Sequence, residues 1–288
     1  MDFNIDDKIL IAIISAGTSI ATTILFKPFV EKGLLLHKIK HEHRASQARL
    51  VKEHIAKHKS VLLSSAESLR NRLVNLFQNN HEGWHNVNGN YLNHPHYIDS
   101  TVYRFVSFFH SLKMIENNLI YLDPTNSTKS DLRILKYIRV AKNVMCDTAL
   151  FEGFDYDNSY ATDHFFSTPF DETITLFSGS NSVSFEEFIS KKEDKPDKFR
   201  SVFQFFDNIN LSEDRLRMER LKILHLLLIG LLNEYGYDFH KTSGNQIEKL
   251  KDNIDGFKLL KNYIKLRKRY KLNKLYWFFP QMEIYAAK

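Results

Sequence analysis

The stretch "KILIAIISAGTSIATTILFKPF", Lys8 to Phe29, decides how the rest of the chain is read. Between Lys8 and Lys27 lie eighteen uncharged residues, Ile9 to Phe26. At 1.5 Å per residue they make about 27 Å of helix, and Lys27 snorkelling plus Phe29 and Val30 extend that reach across a bilayer core of about 30 Å. A cleaved signal peptide starts on basic residues, whereas this chain starts with Asp2, Asp6 and Asp7 against Lys8. A core helix of a soluble domain is the other reading, since eighteen residues is at the short end for a span. The spanning reading is preferred, because charge differs so sharply on the two sides. The amino end carries net −2 from side chains, while Lys27 to Lys59 holds nine basic and three acidic residues, net +6. The positive-inside rule then predicts a single-pass protein with the amino end outside and residues 27 to 288 cytoplasmic.

Five residues of the segment carry hydroxyls: Ser15, Thr18, Ser19, Thr22 and Thr23. Ser15, Ser19 and Thr23 recur every four residues with Ala12 and Ala16 beside them, so one stripe of the helix is built from small side chains. Such stripes let helices approach closely in lipid and hydrogen-bond across the contact, which predicts a homo-oligomer seam. A ring of these helices would line a narrow pore with hydroxyls. The alternative is that each hydroxyl bonds a carbonyl of its own preceding turn, as single-pass anchors tolerate.

The whole chain is 288 residues, 43% hydrophobic and 26% charged, which is a globular composition rather than a disordered one. Twenty-three Phe and thirteen Tyr against ten Gly and six Pro predict an all-α fold with a core filled by rings. The single cysteine, Cys146, excludes an internal disulfide and a stapled secreted scaffold. Spacings of three and four continue from Leu36 through Phe77. The segment divides into a transmembrane anchor over 1–30, a basic juxtamembrane stalk helix over 31–59, and a helical domain over 60–288. Asn79 to His96 reads as a loop, Asp99 as the cap of the next helix, and Asp131 to Leu150 as another helix. About 152–196 reads as an irregular acidic insertion, where "ETITLFSGSNSVSFEEF" is either a hairpin or a loop leading to a helix capped by the Ser184 to Glu187 box. Three helices follow, Asp197 to Ile209, Ser212 to Glu234 and Asn245 to about Tyr270.

Three constellations are candidates for chemistry. "HEGWH", His81 to His85, has the zincin spacing of two His and one Glu, but Gly83 and the surrounding Asn residues favour a loop, so His81, Glu82 and His85 are disfavoured as metal ligands. "RFVSFFH" sets Arg104 and His110 at the R-x5-H spacing of HEPN ribonucleases, in which the two side chains stabilise phosphate charge and move a proton. The third is "FKLLKNYIKLRKRYKLNKLYWFF", where Lys258, Lys261, Lys265, Arg267, Lys268, Arg269, Lys271 and Lys274 carry eight positive charges with no acid among them. Anionic lipid or RNA would satisfy that cluster, as would the acidic stretch from Asp147 to Asp197, net −9. No Gly-rich phosphate loop, nucleophile elbow or CxxC pair is present, and no cofactor is expected.

Two phrases, "LLSSAESLRNRLVNLFQNN" and "STVYRFVSFFHSLKMIENNLIYLD", resemble a widespread group of uncharacterised bacterial helical proteins that begin with an apolar segment. An amino-terminal span joined to a helical domain with Arg104 and His110 is also similar in architecture to the membrane accessory proteins of type VI-B CRISPR systems. Those are HEPN-like and form oligomeric membrane pores. The resemblance implies an oligomeric effector that perturbs or permeabilises the inner membrane in antiphage defence, with a defence-system protein partner. A membrane-tethered HEPN-like ribonuclease and a non-enzymatic scaffold or receptor are the alternatives.

Overall fold

The computed structural model describes residues 7–93, 95–119, 128–156, 163–254 and 256–272, and every regular element among these residues is helical. The first helix, α1 (Asp7–Gln78), runs for 72 residues without a break, about 108 Å at helical rise. Its two ends live in different surroundings. No residue of the apolar window is buried, and Ile9, Ile11, Ile13, Ile14, Ile20 and Ile24 all stand exposed. The helix continues through Pro28, whose ring nitrogen has no hydrogen to give the carbonyl of Ile24. Beyond it the exposed surface carries i,i+4 pairs, Lys27–Glu31 and Lys38–Glu42 at 3.9 Å and Arg49–Glu53 at 2.7 Å. Each is a weak, solvent-screened support to the helix.

Burial begins at Val51 and Ile55, about two turns before the expected boundary at Ser60, and continues with Leu62, Leu63, Ala66, Leu69, Leu73 and Leu76. These residues return at three- and four-residue intervals, so one face of α1 meets α2 (His96–Leu119) and α7 (Arg217–Tyr235). The partners α1 and α2 run antiparallel: Ser65 Oγ meets Ser111 Oγ at 3.0 Å, and one end further on Arg72 Nη2 donates to Ser100 Oγ at 2.8 Å. α7 is apolar nearly all round, "LKILHLLLIGLL", and accordingly lies in the middle, against α1 on one side and α3 (Lys129–Cys146) on the other. It stops at Gly236, where an added Cβ would lie 2.3 Å from the Leu232 carbonyl oxygen.

The expected ring-filled core is present. Phe105 and Phe109 of α2 meet Phe165, Phe170 and Phe206 at centroid distances between 5.0 and 5.9 Å. Phe165 and Phe170 belong to the stretch expected to be an irregular insertion, which instead contributes two helices to the core. These are α4 (Ser167–Thr175) and α5 (Phe185–Asp194), joined by a short non-helical segment and followed by α6 (Pro196–Phe206). Ser184 accepts from the Glu187 N–H at 3.0 Å, so the loop-to-capped-helix alternative holds and the hairpin does not form.

Several boundaries move for identifiable reasons. α2 begins at His96, three residues before Asp99, so Asp99 lies inside the first turn and is not the cap. Its carboxylate is spent elsewhere: Lys192 of α5 reaches both oxygens at 2.9 Å, and both side chains are 1% exposed. α3 starts on a capping box between Thr128 and Asp131 and ends at Cys146; Thr148–Phe151 continues as a 3-10 turn. Arg220 of α7 holds that turn, donating to the carbonyls of Val144 and Asp147 and lying 4.0 Å over the Phe151 ring. The last expected helix is two, α8 (Gly244–Ile254) and α9 (Leu260–Arg269).

Breaking the Lys192–Asp99 pair from one side leaves a carboxylate buried without its cation. Lys192→Met is expected to destabilise the domain by about 3–5 kcal/mol in denaturant unfolding, whereas Asp99→Leu combined with Lys192→Met recovers most of that loss.

Candidate functional site

In the exposed segment the hydroxyls divide into two sets. Thr18 and Thr22 bond the carbonyls of Ile14 and Thr18 at 2.9 and 2.7 Å, and Thr23 bonds that of Ser19 at 2.8 Å. Ser15 and Ser19 make no side-chain hydrogen bond among the described residues. Of the expected seam, Ala12, Ser15, Ala16 and Ser19 therefore present small side chains with two uncommitted hydroxyls, while Thr23 is already satisfied within its own helix.

Arg104 and His110 both lie on α2 but serve different walls. Their separation of six residues turns them about 240° apart on the helix. His110 is buried, with its Nε2 at 3.0 Å from the Ser180 carbonyl and its ring edge-on to Phe177. It positions the turn that leads into α5. Arg104 is half-buried on the face toward α1, where its Nη1 donates to the Ser100 carbonyl at 2.9 Å and to the Ser100 hydroxyl. Burial holds this guanidinium below its ordinary pKa, and the like charge of Arg72 pushes in the same direction. Within one protomer the pair does not form a joint acid–base site.

Arg104 instead lines an open groove of about 340 Å³ between α1, α2 and the turn before α5. Ser60, Ser64, Ser65 and Ser68 come from α1, Ser107 from α2 and Ser182 from the turn. The turn is tied down by Tyr103, which donates to the Val183 carbonyl at 3.0 Å, and by Ser180, which donates to Glu187 at 2.8 Å. Among the described residues no carboxylate lines the groove.

The HEGWH residues are dispersed. Asn80–Glu82 is a single 3-10 turn that ends at Gly83, whose φ of 66° is left-handed and suits glycine. His81 is exposed beside Glu82 at 3.1 Å, while His85 is buried with Nε2 3.2 Å from Thr101 Oγ1 and its ring edge-on to Tyr97. Among the described residues no three His, Cys, Asp or Glu side chains are grouped to hold a metal. The surrounding loop has a structural anchor in Asp207, whose carboxylate accepts from the N–H groups of Val87, Asn88 and Gly89 at 2.8–3.1 Å and from the Tyr91 hydroxyl.

The carboxy-terminal cluster is not one uniform basic face. Arg267 points inward, 1% exposed, donating to the Leu272 carbonyl and lying over the Tyr263 ring, so it is removed from the proposed anion surface. Lys258 lies 3.5 Å from Asp214 and Lys265 3.1 Å from Glu152, the latter within the acidic stretch. Lys261, Lys268, Arg269 and Lys271 are exposed. Lys274 and the aromatic run that follows it lie outside the described residues.

No family model, curated protein or solved structure matches the chain. Its residues carry the reading alone. The groove went unread in the sequence, although its signal was there: Ser60, Ser64 and Ser68 repeat every four residues, as Ser15, Ser19 and Thr23 do. What periodicity could not supply was Ser107 and Arg104 arriving from another helix.

His85 and His225 make the fold pH-dependent. Burial depresses both, His85 to about 3 with Arg72 and Arg217 adding to it, and His225 to about 4 with Arg70 adding. Both are neutral when folded and titrate near 6.5 when unfolded, so their stabilisation is full above about pH 6.5 and is lost as pH falls toward 4. The unfolding free energy is expected to fall over that window by an amount on the order of 3 kcal/mol for each His, read as a falling denaturation midpoint, and His225→Leu should flatten the profile.

Proposed function

We propose that this chain is a single-pass, membrane-anchored helical protein that self-associates through its amino-terminal segment and perturbs or permeabilises a bacterial inner membrane. One observation carries the reading. The window beginning at Ile9 has a mean hydropathy of 2.2 and none of its residues buried, yet it belongs to the same unbroken helix that is core-packed from Val51 onward. An apolar helix that the described residues leave uncovered needs another apolar phase, and lipid or copies of itself supply one.

The orientation follows from charge, with the acidic amino end outside and the basic stretch from Lys27 to Lys59 at the cytoplasmic leaflet. Ser15 and Ser19, uncommitted within the helix and flanked by Ala12 and Ala16, are the contact that lets neighbouring helices close on each other. Because α1 is continuous, a rotation or tilt imposed on the domain at Val51 is delivered to the seam along a rigid rod. A role in antiphage defence, with a protein partner as trigger, is the biological setting proposed here. The ribonuclease alternative is less well supported, since His110 is committed to the Ser180 carbonyl in the interior and Arg104 faces the groove.

The test is expression of wild type and a Ser15→Leu, Ser19→Leu, Thr23→Leu variant in bacteria, followed by membrane fractionation and a potential-sensitive dye. Both proteins are expected in the membrane fraction, with oligomers on crosslinking and depolarisation in the wild type alone. A soluble wild type, or depolarisation unchanged in the triple variant, overturns the reading.

A further inference from the structure

The groove between α1 and α2 has the composition of a binding site, and its chemistry selects a class of ligand. Its charged group is Arg104, half-buried, of which only Nη1 is engaged by the protein among the described residues; Nε and Nη2 remain to donate. Arg72 stands behind it, donating to the same Ser100 hydroxyl at 2.8 Å, and neither arginine has a carboxylate partner among the described residues. Two guanidiniums meeting at one hydroxyl with no acid to balance them leave a local excess of positive charge, partly shielded from water. Ser107 adds a buried hydroxyl oxygen that finds no hydrogen-bond partner, an unusual cost inside a well-packed fold.

The antiparallel contacts give the groove a direction. Ser65 opposite Ser111 and Arg72 opposite Ser100 place Arg104 near the level of Ser68, at one end. From Ser68 the wall runs through Ser64 to Ser60, two steps of four residues, or about 12 Å along the helix. Ser60 and Ser64 are exposed and make no hydrogen bond to the protein among the described residues, so each hydroxyl is available to donate and accept. An anion alone would use only the arginine end, and an uncharged polyol only the seryl wall.

We propose that this groove binds a small phosphate ester with a hydroxylated body, its phosphate on Arg104 and its hydroxyls along Ser68, Ser64 and Ser60. The volume of about 340 Å³ suits a sugar phosphate or a mononucleotide. Arg supplies fork-shaped, charge-assisted donors that match phosphate oxygens. The ligand would touch α1 and α2 together, between nine and seventeen residues beyond the start of burial at Val51, and so would brace the end at which α1 enters the domain.

Isothermal titration calorimetry on the full chain in detergent, at matched ionic strength, tests this with three probes: ribose 5-phosphate, inorganic phosphate and ribose. Ribose 5-phosphate is expected to bind more tightly than inorganic phosphate, with ribose silent. Arg104→Gln should weaken ribose 5-phosphate at least about tenfold, as loss of a charged donor pair does. Ser64→Leu, a change at an exposed wall position that leaves the core untouched, should reduce ribose 5-phosphate to the affinity of inorganic phosphate. No heat from any probe, equal binding of the two phosphates, or binding unaltered in both variants overturns the proposal. None of these outcomes bears on the amino-terminal seam, which the membrane measurements address separately.

Discussion

The 72 residues of α1 form one hydrogen-bonded rod, and the rest of the structure depends on that rod meeting two incompatible demands. Toward its carboxy end it needs a polar face and an apolar face, because it closes the core with α2 and α7. Toward its amino end no helix among the described residues covers it, and its apolar residues point in every direction. Backbone hydrogen bonds are indifferent to this change, since an α-helix satisfies its own N–H and C=O groups in water, protein or lipid alike. Side chains are not indifferent. The switch from all-round apolar to amphipathic along one rod is what couples an environment outside the domain to the packing within it.

Between the two ends lies a stretch that neither lipid nor core stabilises. There the helix relies on its propensity and on the pairs Lys27–Glu31, Lys38–Glu42 and Arg49–Glu53, each weak alone and screened by salt. Leu34, Leu35, Leu36 and Ile39 remain exposed on it. These leucines are apolar surface that no described residue covers. The domain that receives the stalk is held by interactions of a different kind. Lys192 with Asp99, Arg217 with Glu213 and the carbonyls around Asp207, and Arg220 with the end of α3 are buried charges whose donors are nearly all used on protein acceptors. Arg104 stands apart from that set. It is shielded like a structural arginine, yet most of its fork is unspent.

The likeness between the two hydroxyl stripes of α1 shows how far local pattern carries. Ser15, Ser19 and Thr23 repeat every four residues, and so do Ser60, Ser64 and Ser68. The first reads as a face of a helix from its spacing, while the second, of the same period, passes as the solvent side of an amphipathic run. What each face meets was not legible, because the answer resides in distant residues: nothing in the described chain covers the first, while Arg104, Ser107 and Ser182 stand across from the second. The same limit explains the acidic stretch. Its polar composition reads as irregular, but Phe165, Phe170 and Phe188 are buried against α2 and α6 and order it as α4 and α5.

Sequence by itself determined the helical class, the ring-filled core and the apolar amino-terminal segment, since each depends on composition and short-range periodicity, which are local quantities. It also disfavoured a helical zincin motif at His81 to His85, since a Gly at position 83 and a surrounding run of Asn argue against a helix there; the choice between hairpin and capped helix before Phe185 was left to the structure. Tertiary structure alone decided that Asp99 is an ion-pair partner rather than a cap, that Arg267 turns inward, that His110 supports a turn, and that Arg104 faces a seryl groove. The physical reason is common to all four. A charged or polar side chain goes wherever its hydrogen-bond and charge partners are, and those partners come from segments far away in the chain that only folding brings near.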